Sequence, residues 1–389
     1  GGLQGYRVGI SPNGVRALRA CLPADLFDTF VATTARDYSG YTMYTERFAR
    51  LVSISSDDLQ APDDVIRDYS VSRTMLRQVL LTGMEDVVEF DRRFVRYTDD
   101  GDSVTVSFED GLQATGCVLV GADGANSRIR RQYLPHAGQT ETGLIAIGGK
   151  QALTDDVREM LPPDARNAMS MFFDKRGAFG VLHVMEFPSR ADRPALLLDD
   201  DHVSWGVSSS HTQLPPDVLK MDGTQLQETV LRDVMGGWHP TLRTLVHGSD
   251  PTTTFALRVR TSDPVAPWTP SRVTLLGDAI HTMTPGRGAG ANTALRDAAL
   301  LSDRLTDARG GLLPAIGEYE QKMRTYSAVA VRESLEFMND GAAARRPVLG
   351  PLTTFGMRTA LRLTDRVPAL KRRMARGMQQ VRDDQLEPA

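Results

Sequence analysis

The segment Val273-Thr274-Leu275-Leu276 has the make-up of a buried strand and empties directly into Gly277-Asp278-Ala279-Ile280-His281. A loop rich in proline and glycine follows, Pro285-Gly286-Arg287-Gly288-Ala289-Gly290. From Ala291 onward Ala294, Leu295, Ala298, Leu301 and Leu305 recur on one helical face. That order has three chemical abilities. Asp278, a carboxylate at the end of a strand, can accept a hydrogen bond from a sugar-like hydroxyl. Glycines such as Gly277, Gly288 and Gly290 let backbone N–H groups approach a flat ligand closely. A helix start at Ala291 and Asn292 offers unpaired N–H donors and about half a positive charge to an anion. A strand-to-helix loop with only a packing role has the same pattern, and the local residues alone do not separate the two.

A second segment repeats the arrangement. Cys117-Val118-Leu119-Val120 is a short apolar run, and Gly121-Ala122-Asp123-Gly124 follows it, with Ser127, Arg128 and Arg130 close behind. The two segments lie about 150 residues apart, and between them the periodicity changes. Phe179, Val181, His183, Met185 and Phe187 alternate, as do Val203, Trp205 and Val207, and then Phe255, Leu257 and Val259. These read as an antiparallel sheet with one face clad in aromatic and thioether side chains. Elsewhere the signals predict helices from Asn13 to Cys21, from a Ser72 cap onward, from Ala291 to Leu305, Ile316 to Met338 and Leu361 to Val381, and a strand within Tyr41 to Ile54.

Together these segments resemble the paired flavin fingerprints of the class A flavoprotein monooxygenases, the para-hydroxybenzoate hydroxylase superfamily. Gly121-Ala122-Asp123-Gly124 with Ser127 and Arg130 matches the second fingerprint. Gly277 to His281 with Pro285, Gly288, Gly290, Asn292 and Asp297 matches the third. Gly5-Tyr6-Arg7-Val8-Gly9-Ile10 looks like the segment after the family's first βαβ unit, and Ser72-Arg73-Thr74-Met75-Leu76 like its R-x-x-L helix start. The resemblance covers roughly residues 1 to 330.

The resemblance implies an α/β chain: a Rossmann-like FAD-binding domain with an inserted antiparallel β-sheet substrate domain and a helical C-terminus. It assigns residues 1–36, 70–135 and 262–330 to FAD, 37–69 and 136–261 to substrate, and 331–389 to C-terminal helices. It further implies an enzyme that oxidises NADPH or NADH, forms a flavin C4a-hydroperoxide with O2 and oxygenates an aromatic or polycyclic substrate. Arg7, Arg73, Asp123, Gly277, Asp278, Pro285, Gly288, Gly290, Ala291 and Asn292 would hold FAD. The two aspartates would orient its ribityl and pyrophosphate end, and the loop from Pro285 to Asn292 would frame the isoalloxazine. Periodicity offers Met171, Phe173, Phe179, His183, Met185 and Trp205 for the substrate, although each is equally explicable as core. His281 reads as a hydrogen-bonded structural residue rather than a base.

One departure stands out. The first fingerprint, G-x-G-x-x-G with an acidic residue about 20 positions on, is absent from the sequence. About one βαβ unit, some 40 residues, is missing relative to the family, which predicts that the natural protein is longer. Two rivals therefore remain: a non-oxygenating flavin oxidoreductase on the same scaffold, and a cofactor-free binding remnant.

Composition bounds the rest. The 389 residues are 41% hydrophobic and 24% charged, ordinary for a large buried core. The net charge of −4 argues against a nucleic-acid partner. The two cysteines, Cys21 and Cys117, form no CxxC pair and suit a cytoplasmic setting, and the seven histidines show no metal-binding spacing. No apolar run is long enough to span a bilayer, and the arginine-rich stretch from Arg345 to Arg382 reads as a solvated helix face.

Overall fold

The computed structural model describes residues 6–38, 40–55, 58, 68–188, 199–340 and 350–383. Gly5 and Arg345 therefore lie outside the described residues. Its strands are β1 (Arg7–Ile10), β2 (Gly40–Thr45), β3 (Arg50–Ser55), β4 (Tyr69–Ser72), β5 (Phe94–Asp99), β6 (Val104–Phe108), β7 (Gln113–Gly116), β8 (Leu119–Gly121), β9 (Gln139–Ala152), β10 (Met169–Phe173), β11 (Phe179–Met185), β12 (His202–Ser210), β13 (Phe255–Ser262) and β14 (Val273–Leu275).

Seven of them form one sheet in the order β13-β9-β12-β11-β10-β2-β3. Its pairings are antiparallel except that of β10 with β2, so the sheet is mixed where the sequence predicts a purely antiparallel one. Period-2 alternation divides it into two faces. Leu182, Val184, Val203, Trp205, Val207, Ile145 and Ile147 point to one side, where Leu226, Trp238, Leu242 and Leu245 of the helices and loops after β12 cover them. Glycine makes that fit possible at Gly180, where a Cβ would come to 2.8 Å from the Trp238 ring. On the other face Met43, Val52, Met171, Phe173, Phe179 and Val181 meet Phe337, Leu361, Met374 and Ala375 from the C-terminal helices.

A second core lies around β8 and β14, which pair in parallel, with the helices Arg128–Tyr133, Gly290–Thr306 and Leu312–Asp340 packed about them. A third joins the antiparallel pair β1–β4 to the helices Pro12–Cys21, Ala24–Ala32 and Arg73–Leu81. Strands β5, β6 and β7 make a separate antiparallel meander.

Three local readings change. The stretch from Tyr41 to Ile54 is a hairpin, turned at Phe48 with φ of 61°. Ser72 precedes its helix but makes no capping bond; its hydroxyl is buried without a partner. The last helix is broken at Pro368, which has no N–H to donate, giving Gly350–Arg366 and Pro368–Asp383.

Candidate functional site

The two glycine-aspartate segments leave neighbouring strands. Val273, Thr274 and Leu275 of β14 lie beside Leu119, Val120 and Gly121 of β8, and Leu276 N donates to Gly121 O at 3.0 Å. A Cβ at Gly121 would come within 2.6 Å of Leu275 Cδ2, so the close approach requires glycine. The buried Arg130 then ties the exits together, Nη1 donating to Ala279 O at 2.8 Å and Nη2 to Ala125 O at 3.2 Å. Arg130 thus works through backbone carbonyls of both segments.

At the second exit Gly277 takes φ of 60° and ψ of −144°, a conformation a side chain would strain. Its N–H donates to Asp297 Oδ2 at 2.7 Å. The same oxygen meets His281 Nε2 at 2.5 Å, and Tyr326 OH donates to Asp297 Oδ1 at 2.6 Å. Burial disfavours a charged His281, but the Asp297 carboxylate outweighs it and raises the imidazole above its usual range. His281 is a hydrogen-bonded structural residue, as its setting predicts.

The loop then runs through a short turn, Pro285–Arg287, to Gly288, which is left-handed with φ of 64°. Helix Gly290–Thr306 starts at Ala289, which supplies no side-chain cap to the first-turn amides of Gly290, Ala291 and Asn292. The Asn292 side chain faces the protein. Its Oδ1 accepts from Ser11 N at 2.8 Å, and its Nδ2 donates to Gly9 O at 2.9 Å and Gly288 O at 3.1 Å. All three of these bonds go to backbone, and they bolt the helix start to β1 and to helix Pro12–Cys21. A Cβ at Gly14 would overlap the Asn292 side-chain oxygen. Gly14→Ala is therefore expected to lower stability by about 1–2 kcal/mol through these lost bonds, despite alanine's better helix propensity, read from denaturant midpoints.

Asp278 is exposed by area yet hemmed in by protein. Desolvation raises its pKa, opposed by the charges of His281 and Arg73, which places Arg73 in electrostatic reach of this carboxylate. Arg73 is exposed, donates from Nη1 to Tyr6 OH at 2.6 Å and lies 5.2 Å over the Tyr6 ring. Asp123 differs: its Oδ2 accepts from Arg128 N at 2.7 Å and Ile129 N at 3.3 Å, capping the helix Arg128–Tyr133. Pro285 and Gly288 are exposed.

Arg7 meets the sheet. Its Nε donates to Ser70 Oγ at 3.1 Å, and Ser70 Oγ lies 3.2 Å from His183 Nε2. His183 is buried, and desolvation first, then Arg7 and His202, push its pKa well below the usual range, so it is neutral. Its Nδ1 has no hydrogen-bond partner among the described residues. Met171, Phe173, Phe179 and Met185 share this face with it by register. Trp205 does not. It lies on the helix-covered face, with Nε1 donating to Ser249 Oγ at 2.6 Å, because alternation along β12 turns its odd-numbered residues that way.

Sequence reading misses the support from helix Leu312–Asp340. Tyr319 OH donates to Leu275 O at 2.9 Å, Tyr326 to Asp297, and Glu333 accepts from Arg287 Nη1 at 2.8 Å. Tyr319, Tyr326 and Glu333 fall seven residues apart, a helical stripe that was the available signal.

The donor set suits a flat, hydroxylated, anionic ligand such as FAD: an open carboxylate at Asp278, uncapped amides at Gly290 and Ala291, an exposed guanidinium at Arg73 and open space over Gly288.

A family model described as an FAD binding domain matches residues 28–312. A dual O-methyltransferase/FAD-dependent monooxygenase of Phaeosphaeria nodorum is 32% identical over 331 residues, 77% of this chain and 35% of that protein. An FAD-dependent urate hydroxylase of Klebsiella pneumoniae is 28% identical over 81% of this chain and 75% of its own. The crystal structure of a candidate FAD-containing monooxygenase from Photorhabdus luminescens is 34% identical with a TM-score of 0.75, covering 87% of this chain and 88% of that one. Klebsiella pneumoniae HpxO complexed with FAD and uric acid shares the fold, with a TM-score of 0.75 at 23% identity over 95% of this chain and 87% of that one. The chain spans only 35% to 40% of the length of the first curated relatives it matches.

Proposed function

Since the chain belongs to the FAD-binding-domain family of flavin-dependent aromatic hydroxylases, we propose that it is itself a monooxygenase, using NADPH or NADH and O2 to oxygenate a small aromatic or polycyclic substrate. The observation that supports it best is the parallel pairing of β8 with β14, which delivers two glycine-aspartate exits to one edge beside an uncapped helix start. FAD, when bound, supplies the redox and oxygen-transfer chemistry.

The chain's own residues supply position, charge and dryness. The amides of Gly290 and Ala291 and the dipole of helix Gly290–Thr306 favour negative charge at the loop. Asp278 accepts from ligand hydroxyls, with Arg73 as the neighbouring cation. Asp123, one oxygen of which caps a helix, keeps the other for a ligand. Asn292, Asp297 and Arg130 hold the backbone that aims these groups. The apolar face carrying Met171, Phe179 and Val181 excludes water from the substrate side. Arg7 donates to Ser70, whose Oγ lies beside His183 Nε2; with Ser70 as the donor in that pair, Nδ1–H is left for a substrate oxygen.

The protein with added FAD should show a flavin spectrum and oxidise NAD(P)H faster in the presence of an aromatic substrate, placing one 18O atom from 18O2 in the product. Flavin binding with NAD(P)H oxidation but no labelled product would replace this reading with a non-oxygenating oxidoreductase. A colourless protein whose stability is unmoved by FAD would remove flavin chemistry altogether.

A further inference from the structure

Glycine inside a strand weakens it, so each sheet glycine needs a reason. Most in the seven-stranded sheet have one inside the protein. A Cβ at Gly40 would overlap the Ile54 carbonyl oxygen, and Gly143 has φ of 75°. At Gly148 a Cβ would come within 2.9 Å of Trp205 O, at Gly149 within 2.9 Å of Thr254 Oγ1, and at Gly180 within 2.8 Å of Trp238. Gly206 is different. Among the described residues its Cβ would meet only a Val181 methyl at 3.3 Å and Ile147 O at 3.9 Å, both lateral neighbours in the sheet. No other described residue comes within 4 Å of it.

Register shows what surrounds this bare spot. Phe255, Gly148, Gly206, Val181 and Met171 form one cross-strand row on a single face. This is the face that carries His183 and Phe179 in the flanking rows, opposite the helix-covered core. A Cβ at Gly148 would come to 3.4 Å from the Phe255 ring, which lies 5.5 Å from the Tyr6 ring, and Tyr6 OH in turn accepts from Arg73. On the other flank Phe179 meets Phe337 at 5.9 Å, and a Cβ at Gly286 of the flavin loop would come to 2.6 Å from Phe337 Cδ1. Two aromatic pairs, one reaching Arg73 and one reaching the flavin loop, therefore bracket a two-glycine floor.

We propose that Gly206, with Gly148, is the floor of the substrate compartment, where a flat aromatic ring system lies on the bare backbone between Phe255 and Phe179. Gly206 is then a specificity-determining position that sets how many fused rings fit. The assignment rests on the monooxygenase reading for what is done to the ring, but ring binding itself is measurable without turnover.

The test is calorimetric titration of the full chain, with and without FAD, against phenol, 2-naphthol and 2-hydroxyanthracene, repeated for Gly206→Ala and Gly206→Leu. The wild type is expected to bind the two larger probes more tightly than phenol. Gly206→Leu should weaken those two by at least about tenfold, with the melting temperature and FAD affinity unchanged. Gly206→Ala, whose Cβ needs only a small shift of the Val181 methyl, should weaken 2-hydroxyanthracene most and guards against misfolding of the leucine variant. Wild-type protein that binds no probe, or variants that bind all three within about twofold of it, would overturn the floor. Probes that bind as expected without NAD(P)H-dependent oxygenation would instead overturn the monooxygenase reading and leave the floor standing.

Discussion

Asp297→Ala is expected to lower the unfolding free energy by about 3–5 kcal/mol, the range for removing one partner of a buried charged pair. The carboxylate is fully buried and accepts from three donors at once: Gly277 N, His281 and Tyr326 OH. Removing it leaves all three inside the protein without their acceptor, and the cost of orphaned donors exceeds the net worth of the bonds. Asp297→Asn should cost less, because the amide oxygen can still accept from Gly277. Its cost should also depend on pH. His281 is raised by Asp297, so the pair's contribution is complete below the unfolded histidine pKa of about 6.5 and is lost as pH rises through the higher folded value. The stability gap between wild type and Asp297→Asn should therefore narrow from pH 5 towards pH 9 in denaturant titrations. A gap that widens would contradict an imidazolium held by this carboxylate. FAD affinity should fall in parallel, since the Gly277 turn that aims Asp278 is anchored here.

The same residues show how far sequence carries. The two exits and the helix between them are local patterns, a buried strand, glycines and an apolar stripe, and they were legible as written. Their partners were not. Asp297 belongs to the motif, but that it grips Gly277 and Tyr326 depends on a helix packing across from it, and no local spacing reports that. For Asn292 the motif letters do not report that its side chain faces Gly9 and Ser11. For Trp205, a substrate candidate equally explicable as core, alternation gives two faces and does not say which of them packs on the helices after β12. The hairpin at Phe48 was hidden because its turn, Glu46 to Ala49, contains neither glycine nor proline. Pro368, by contrast, is a local signal for the break in the last helix.

Glu320→Gln is expected to stabilise the protein at pH 8 by about 2–3 kcal/mol and to change little at pH 4. Glu320 is buried on helix Leu312–Asp340 beneath β14, where Thr274 Oγ1 donates to Oε1 at 2.9 Å and Oε2 meets the geometric criteria of a hydrogen bond with none of the described residues. Burial pushes its carboxyl up to about 7, while Thr274, Trp268 and Arg324 pull the other way. Between its ordinary value of 4.5 and about 7 the folded chain holds a proton that the unfolded chain has released. Stability must then fall as pH rises across that window, since the unfolded state binds fewer protons. The contribution is complete below 4.5 and gone above 7. Glutamine keeps the neutral shape and an acceptor for Thr274 without the titration, so its advantage should grow through the same window and level off beyond it. Paired denaturant midpoints from pH 4 to 8.5 measure it, and a difference that stays flat would mean that the carboxyl ionises in the folded core as it does in water. Because Tyr319 beside it donates to Leu275 O at the end of β14, relief of this buried charge should also slow hydrogen exchange along the strand that delivers Gly277 and Asp278 to the site.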